Sequence, residues 1–137
     1  MRRIHIGLNV KDLEASTRFY SGLFGAEPSL VKPDYAKWML EDPRVNFSIS
    51  TRCGTSHDVH FGIQVDSEVE LEETAGRLRR AGQRVIDENG AVCCYHRSEK
   101  AWVADPQNLL WETFLTVGEA TDYGEDNPEV EALCCAS

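Results

Sequence analysis

Two histidines and a pair of adjacent cysteines are the residues of this chain best equipped for chemistry. His5 lies in His5-Ile6-Gly7-Leu8-Asn9-Val10, and His60 lies in His60-Phe61-Gly62-Ile63-Gln64-Val65. Both hexapeptides read His, apolar, Gly, apolar, side-chain amide, Val. The motif is an internal repeat, and each copy offers an imidazole nitrogen, a common metal ligand. Cys93-Cys94 adds two soft thiols, which suit a thiol-loving metal or metalloid. A lone histidine is readily explained as a packed or surface imidazole; two at equivalent positions of a repeat are harder to explain that way. Together these residues point to metal-centred chemistry on something that cysteines hold.

The elements that must carry them follow the repeat. From residue 3 to 10 apolar side chains alternate with His5, Gly7 and Asn9, as in a half-buried strand. Asp12 is placed to cap a helix running to Phe24, with Leu13, Ser16, Tyr20, Leu23 and Phe24 on one face and Gly25 to end it. Strand candidates follow near residues 27–31, 35–40 and 45–50, separated by Pro33-Asp34 and Asp42-Pro43. The second half replays this order: a strand over 59–65, a capping box in Ser67-Glu68-Val69-Glu70, and a helix to about Ala81 with Gly82 to close it. Strand candidates near 84–87, 92–96, 101–104 and 109–116 complete it.

The expected fold class is therefore α+β. Two βαβββ modules, about 1–51 and 58–117, pair their strands into one curved sheet around a concave cavity that holds the metal. Alternation aims His5, Asn9, His60 and Gln64 into that cavity, and Gly7 and Gly62 leave space beside them.

A chain of 137 residues can bury a real core, and 42% hydrophobic residues with three tryptophans argue against disorder. The net charge of −9 is uneven: residues 118–137 hold six acids and no Lys or Arg. That segment reads as an acidic, mobile tail outside the 1–117 domain. No basic patch invites nucleic acid or an anionic membrane, and no apolar run is long enough to span a bilayer. Met1-Arg2-Arg3 leads straight into a strand pattern, which points to the cytoplasm. Five cysteines do not make a disulfide framework. Adjacent ones close poorly on each other, since neighbouring Cα atoms lie about 3.8 Å apart, below the usual range of about 4.4–6.8 Å.

Glu112, in Leu110-Trp111-Glu112-Thr113-Phe114, is the third ligand candidate. A carboxylate inside an apolar strand is costly unless it is paired or coordinated; an arginine partner or a solvent-facing position would also explain it. His5, His60 and Glu112 would supply two imidazoles and one carboxylate, the set used by non-haem Fe(II) oxygenases. The comparable strand of the first half, Val45-Asn46-Phe47-Ser48-Ile49, has no carboxylate. Zn(II), Ni(II) or Co(II) could occupy the same three ligands. For Cys93 and Cys94, one thiol could simply be packing. Neighbours in a strand point to opposite faces, so for both sulfurs to hold one atom the chain must leave extended geometry there. Asn89-Gly90-Ala91 permits a turn or a movable loop just before the pair.

The paired βαβββ repeat, the leading histidines and Trp111-Glu112 on the last strand resemble the vicinal-oxygen-chelate superfamily of glyoxalases, extradiol dioxygenases and bleomycin- or fosfomycin-resistance proteins. Tyr35-Ala36-Lys37-Trp38, Val92-Cys93-Cys94-Tyr95, Trp102-Val103-Ala104-Asp105-Pro106 and Trp111-Glu112 resemble the organoarsenical C–As lyases. The cadmium-induced proteins share the Cys-Cys-Tyr segment. Glyoxalase-type members carry a fourth ligand on the strand that here lacks a carboxylate, which leaves coordination positions open. Position 96 is His where Ala is usual, and the turn at Asp105-Pro106-Gln107-Asn108 lacks its usual glycine, a place Asn108 can fill.

The resemblance implies an Fe(II)- and O2-dependent C–As lyase that converts trivalent methyl- and aryl-arsenicals to arsenite. In it His5, His60 and Glu112 hold the metal, Cys93 and Cys94 hold arsenic, and Tyr95 and Lys100 belong to the substrate loop. Cys134 and Cys135 are auxiliary thiols at most. The implied partner is a small organoarsenical, and the protein a monomer or homodimer. The alternatives are a cadmium-induced-type binding protein without catalysis and a glyoxalase or drug-resistance type.

Overall fold

The computed structural model describes residues 1–51, 59–93, 95–122, 124 and 127–130. The first module is β1 (Arg3–Asn9), α1 (Leu13–Phe24), β2 (Leu30–Lys32), β3 (Tyr35–Glu41) and β4 (Arg44–Ser50). The second is β5 (Val59–Gln64), α2 (Glu68–Arg80), β6 (Ile86–Cys93), β7 (His96–Ala104) and β8 (Leu110–Glu119). All eight strands join one sheet in the order β2-β3-β4-β1-β5-β8-β7-β6. Within each module the first strand runs parallel to the last; the modules meet where β1 and β5 pair antiparallel.

The sheet is strongly curled. β3 and β7 stand five strands apart, roughly 24 Å in a flat sheet. Yet Lys37 Nζ on β3 lies 3.1 Å from His96 Nε2 on β7. Polar side chains of β1, β4, β5 and β8 therefore face a concave interior, and the apolar residues between them face the helices. On the convex side of the first module, Ala36, Trp38, Val45, Phe47 and Ile49 form a buried cluster closed by Ile6, Leu8, Leu13, Tyr20 and Phe24. Leu23, expected on the packed face of α1, is exposed.

Both helices start and stop where their local chemistry allows. Asp12 Oδ1 accepts Ala15 N–H at 2.9 Å, and Gly25 ends α1 in the left-handed region at φ 65°. Ser67 Oγ accepts Glu70 N–H at 3.2 Å; the Glu70 carboxylate takes Asp66 N–H rather than that of Ser67, a one-residue variant of the expected box.

The second module departs from the expected elements. The stretch at 89–91 is not a turn: it lies inside β6, where the register with β7 shifts between Glu88 and Ala91 and Gly90 takes φ 66°. The separate candidates at 84–87 and 92–96 merge into β6, and the hairpin reverses after Cys93, which pairs with His96. β8 runs past residue 117 to Glu119, and Val130 packs on the body at 5% exposure, where a mobile tail was expected. Among the described residues no helix is long and apolar enough to cross a membrane.

The central pairing explains the repeated His-x-Gly. His5 stands opposite Gly62, and Gly7 stands opposite His60. A Cβ on Gly7 would overlap the His60 ring. A Cβ on Gly62 would lie 2.5 Å from the carbonyl oxygen of Glu112 and 2.7 Å from its Cγ. Two different outcomes are expected. Gly7→Ala should evict the His60 side chain, which can swing away, so unfolding free energy changes little while divalent-metal affinity falls at least about tenfold. Gly62→Ala presses on backbone and should cost about 1–3 kcal/mol of stability as well. Urea denaturation and metal titration of both variants check this.

Candidate functional site

Three strands bring their donors to one point. His5 comes from β1, His60 from β5 and Glu112 from β8, where Gly62 is the register partner of Glu112. His5 Nε2 lies 3.1 Å from His60 Nε2 and 3.3 Å from Glu112 Oε1, and His60 Nε2 lies 3.7 Å from the same oxygen. His5 and Glu112 are 5% and 3% exposed, whereas His60 is half-buried and borders solvent.

Tautomer chemistry makes this cluster informative. His5 Nδ1 is 3.0 Å from the carbonyl oxygen of Asn46, which can only accept, so Nδ1 carries the proton. His5 Nε2 then presents a lone pair toward a carboxylate oxygen. Two acceptors at 3.3 Å repel unless a cation lies between them. Ligands about 2.1 Å from a common metal sit about 3.0–3.4 Å from one another, for angles between right and tetrahedral. The observed spacings of 3.1, 3.3 and 3.7 Å bracket that range, so these residues could hold a divalent cation without rearranging.

Lys100, on β7, sets the charge of the site. Its Nζ donates to Glu112 Oε2 at 2.9 Å and lies over the Trp102 and Phe114 rings at 5.2 and 5.8 Å. Burial alone would raise the pKa of Glu112; the Lys100 cation overcomes it, with further help from the two histidines, and holds the pKa at about 2. Burial lowers the pKa of His5, against an opposing pull from Glu112. At neutral pH the site is thus a carboxylate and a neutral His5 imidazole beside a buried ammonium. The sequence placed Lys100 in a substrate loop; it lies within β7, against the carboxylate.

The polar face of β4 escaped sequence reasoning that looked there only for a carboxylate. Asn46, Ser48 and Ser50 alternate and are all buried. Asn46 holds His5 through its carbonyl, and its Nδ2 donates to Gln64 Oε1 at 3.1 Å. Ser48 pairs with Gly7 as Glu112 pairs with Gly62, so the position symmetric to Glu112 carries a hydroxyl.

Cys93 ends β6 and is half-buried; Cys94, Cys134, Cys135, Cys53 and His57 lie outside the described residues. Tyr95 follows with φ 64°, donates its hydroxyl to Asp34 Oδ1 and packs 5.8 Å from the Tyr35 ring. Together with the Lys37–His96 contact, this fastens the β6–β7 hairpin to the first module.

Residues 2–113 match the Glyoxalase/Bleomycin resistance protein/Dioxygenase superfamily. The chain belongs to that superfamily. Within it, the chain is 42% identical to a trivalent organoarsenical cleaving enzyme of Bacillus sp. (strain MD1), over 100% of this chain and 84% of that protein. It is 34% identical to the cadmium-induced protein CadI of Mycobacterium bovis, over 98% of this chain and 93% of that one. The fold is shared with the Mn(II)-bound glyoxalase of Novosphingobium aromaticivorans at 18% identity and a TM-score of 0.58, covering 93% of this chain and 43% of that one. Superfamily membership accounts for the duplicated module and the curled sheet.

The lowered pKa of His5 has a measurable sign. The unfolded chain takes up a proton below about pH 6.5 that folded His5 refuses. Its contribution is fully present above that pH and is lost as pH falls below it. Between pH 6.5 and 5, metal-free protein should therefore lose up to about 1.4 kcal/mol of stability per pH unit through His5. Denaturant unfolding of the wild type and of His5→Gln should show the smaller slope in the variant. Equal slopes would mean that His5 is not held neutral.

Proposed function

We propose that this protein is an Fe(II)- and O2-dependent C–As lyase acting on trivalent organoarsenicals. The observation that carries the reading is the convergence of His5, His60 and Glu112 in a chain whose Cys93 ends a hairpin folded back over the same concave face. The 42% identity to an organoarsenical cleaving enzyme supports it over the chain's whole length.

The roles follow from the chemistry of the groups. Cys93 and Cys94 exchange two arsenic-bound hydroxyls for two As–S bonds, releasing two waters with no change of oxidation state. Trivalent arsenic is soft, and thiolates are its preferred partners. The third substituent on arsenic is the organic group, which is left facing the concave interior. His5, His60 and Glu112 bind the iron, leaving coordination positions open because Ser48 stands where a fourth carboxylate would be. When bound, iron supplies the redox chemistry by which O2 attacks the carbon–arsenic bond, giving arsenite and an oxidised organic fragment. Asn46 holds His5 in the tautomer that offers Nε2, and Lys100 keeps Glu112 ionised. Ni(II), Co(II) or Zn(II) would fit the same donors without that redox chemistry.

The experiment is anaerobic reconstitution with Fe(II), followed by O2 and methylarsenite with arsenite monitored. Arsenite formation that needs both iron and O2 supports the reading. Binding without turnover under the same conditions would favour a sequestering protein, the reading that the 34% identical cadmium-induced relative keeps open. A histidine at position 5, completing the three-donor set, argues for catalysis.

Two variant series test the division of labour. Glu112→Gln should weaken Fe(II) binding by at least about tenfold, because the ionised oxygen is lost while the shape stays. Cys93→Ala and Cys94→Ala should each weaken methylarsenite capture in metal-free protein. The double variant should lose turnover while binding Fe(II) normally. Full activity in the double variant would refute the mechanism.

A further inference from the structure

The segment after β8 returns to the hairpin that bears Cys93. β6 is an edge strand of the sheet, so its outer N–H and C=O groups need a partner or water. Ala120 N–H, one residue beyond β8, donates to the carbonyl of Tyr95 at 2.9 Å. Gly124 forms an antiparallel bridge with Cys93. It does so at φ 99°, and a Cβ there would overlap the carbonyl oxygen of Val92, so only glycine can approach so closely. Further along β6, Asn127 Nδ2 donates to Glu88 Oε2. Val130, at 5% exposure, packs with Leu110, Ile86, Trp102 and Ala104. Leu110 and Trp102 share a sheet face with Glu112, so this anchor sits on the concave side.

Two of these four ties flank the turn between β6 and β7, one at Cys93 and one at Tyr95. The segment continues from β8, the strand of Glu112. We propose that the C-terminal segment from Ala120 to Val130 is a positioning strap: it holds the β6–β7 turn in the geometry that captures arsenic, and it supplies no ligand itself. The inference rests on the reading of Cys93 as an arsenic-binding thiol. Gly124 and Val130 are positioning residues, acting through the backbone of Cys93 and through the apolar anchor.

The test uses full-length protein carrying Gly124→Val, Val130→Asp or the milder Asn127→Ala, with Cys134→Ala/Cys135→Ala and Cys93→Ala/Cys94→Ala as controls. Hydrogen exchange is read at amides 92–99, methylarsenite binding is read in metal-free protein, and Fe(II) binding reports on the rest of the site. Loss of the strap's bonds should speed exchange at those amides about tenfold or more. Methylarsenite KM should rise by about the same factor while kcat at saturation and Fe(II) affinity stay within about twofold, a split that general unfolding would not produce. Asn127→Ala should shift exchange in the same direction by less.

Wild-type exchange and wild-type KM in both Gly124→Val and Val130→Asp would overturn the strap. So would loss of capture in Cys134→Ala/Cys135→Ala, because the segment would then be a ligand. Undiminished methylarsenite binding by Cys93→Ala/Cys94→Ala would remove the arsenic reading of those thiols, and the strap would then stand or fall on the exchange data alone.

Discussion

The antiparallel pairing of β1 with β5 is the contact on which the rest of this protein depends. It sets each leading histidine opposite the other module's glycine. A one-residue slip would turn both imidazoles to the convex side, under the helices, and bring Ile and Leu into the cavity. The glycines enforce the register by space as well as by pairing: the His60 ring occupies the volume that a side chain on Gly7 would take, and Glu112 crowds the equivalent space above Gly62. Duplication thus builds a cavity that neither module could enclose alone.

The same symmetry makes the differences between modules meaningful. Ser48 and Glu112 are register equivalents, as are Tyr35 and Lys100, which pair with Ser50 and Phe114. The second module supplies the carboxylate and the buried ammonium that neutralises it; the first supplies neutral hydroxyls and the carbonyl that orients His5. Charge is concentrated on one wall of the cavity and hydrogen-bonding capacity on the other.

Much of this was legible in the sequence, for identifiable reasons. A repeat with one residue pattern at two places reports fold symmetry and inward direction together, so His5, His60 and the module order could be read directly. Gly90 misled because a bulge and a turn both favour glycine at positive φ, and only the partner strand distinguishes them. The segment after β8 misled because its tether is one valine among acids plus backbone bonds, neither of which has a period. Asn46 was hidden for a different reason: it acts on His5 through its carbonyl oxygen, which every residue possesses.

The Lys100 ammonium does more than balance charge. By occupying Glu112 Oε2, it leaves Oε1 as the oxygen turned toward the imidazoles. The carboxylate is thereby constrained to donate through a single atom instead of chelating with both. A cation in the cavity would be held by three point donors, all from strands on one side of it. Its opposite hemisphere would belong to whatever enters from the half-open edge beside His60. Denticity, ordinarily a property of the metal, is here decided by a lysine that never touches it.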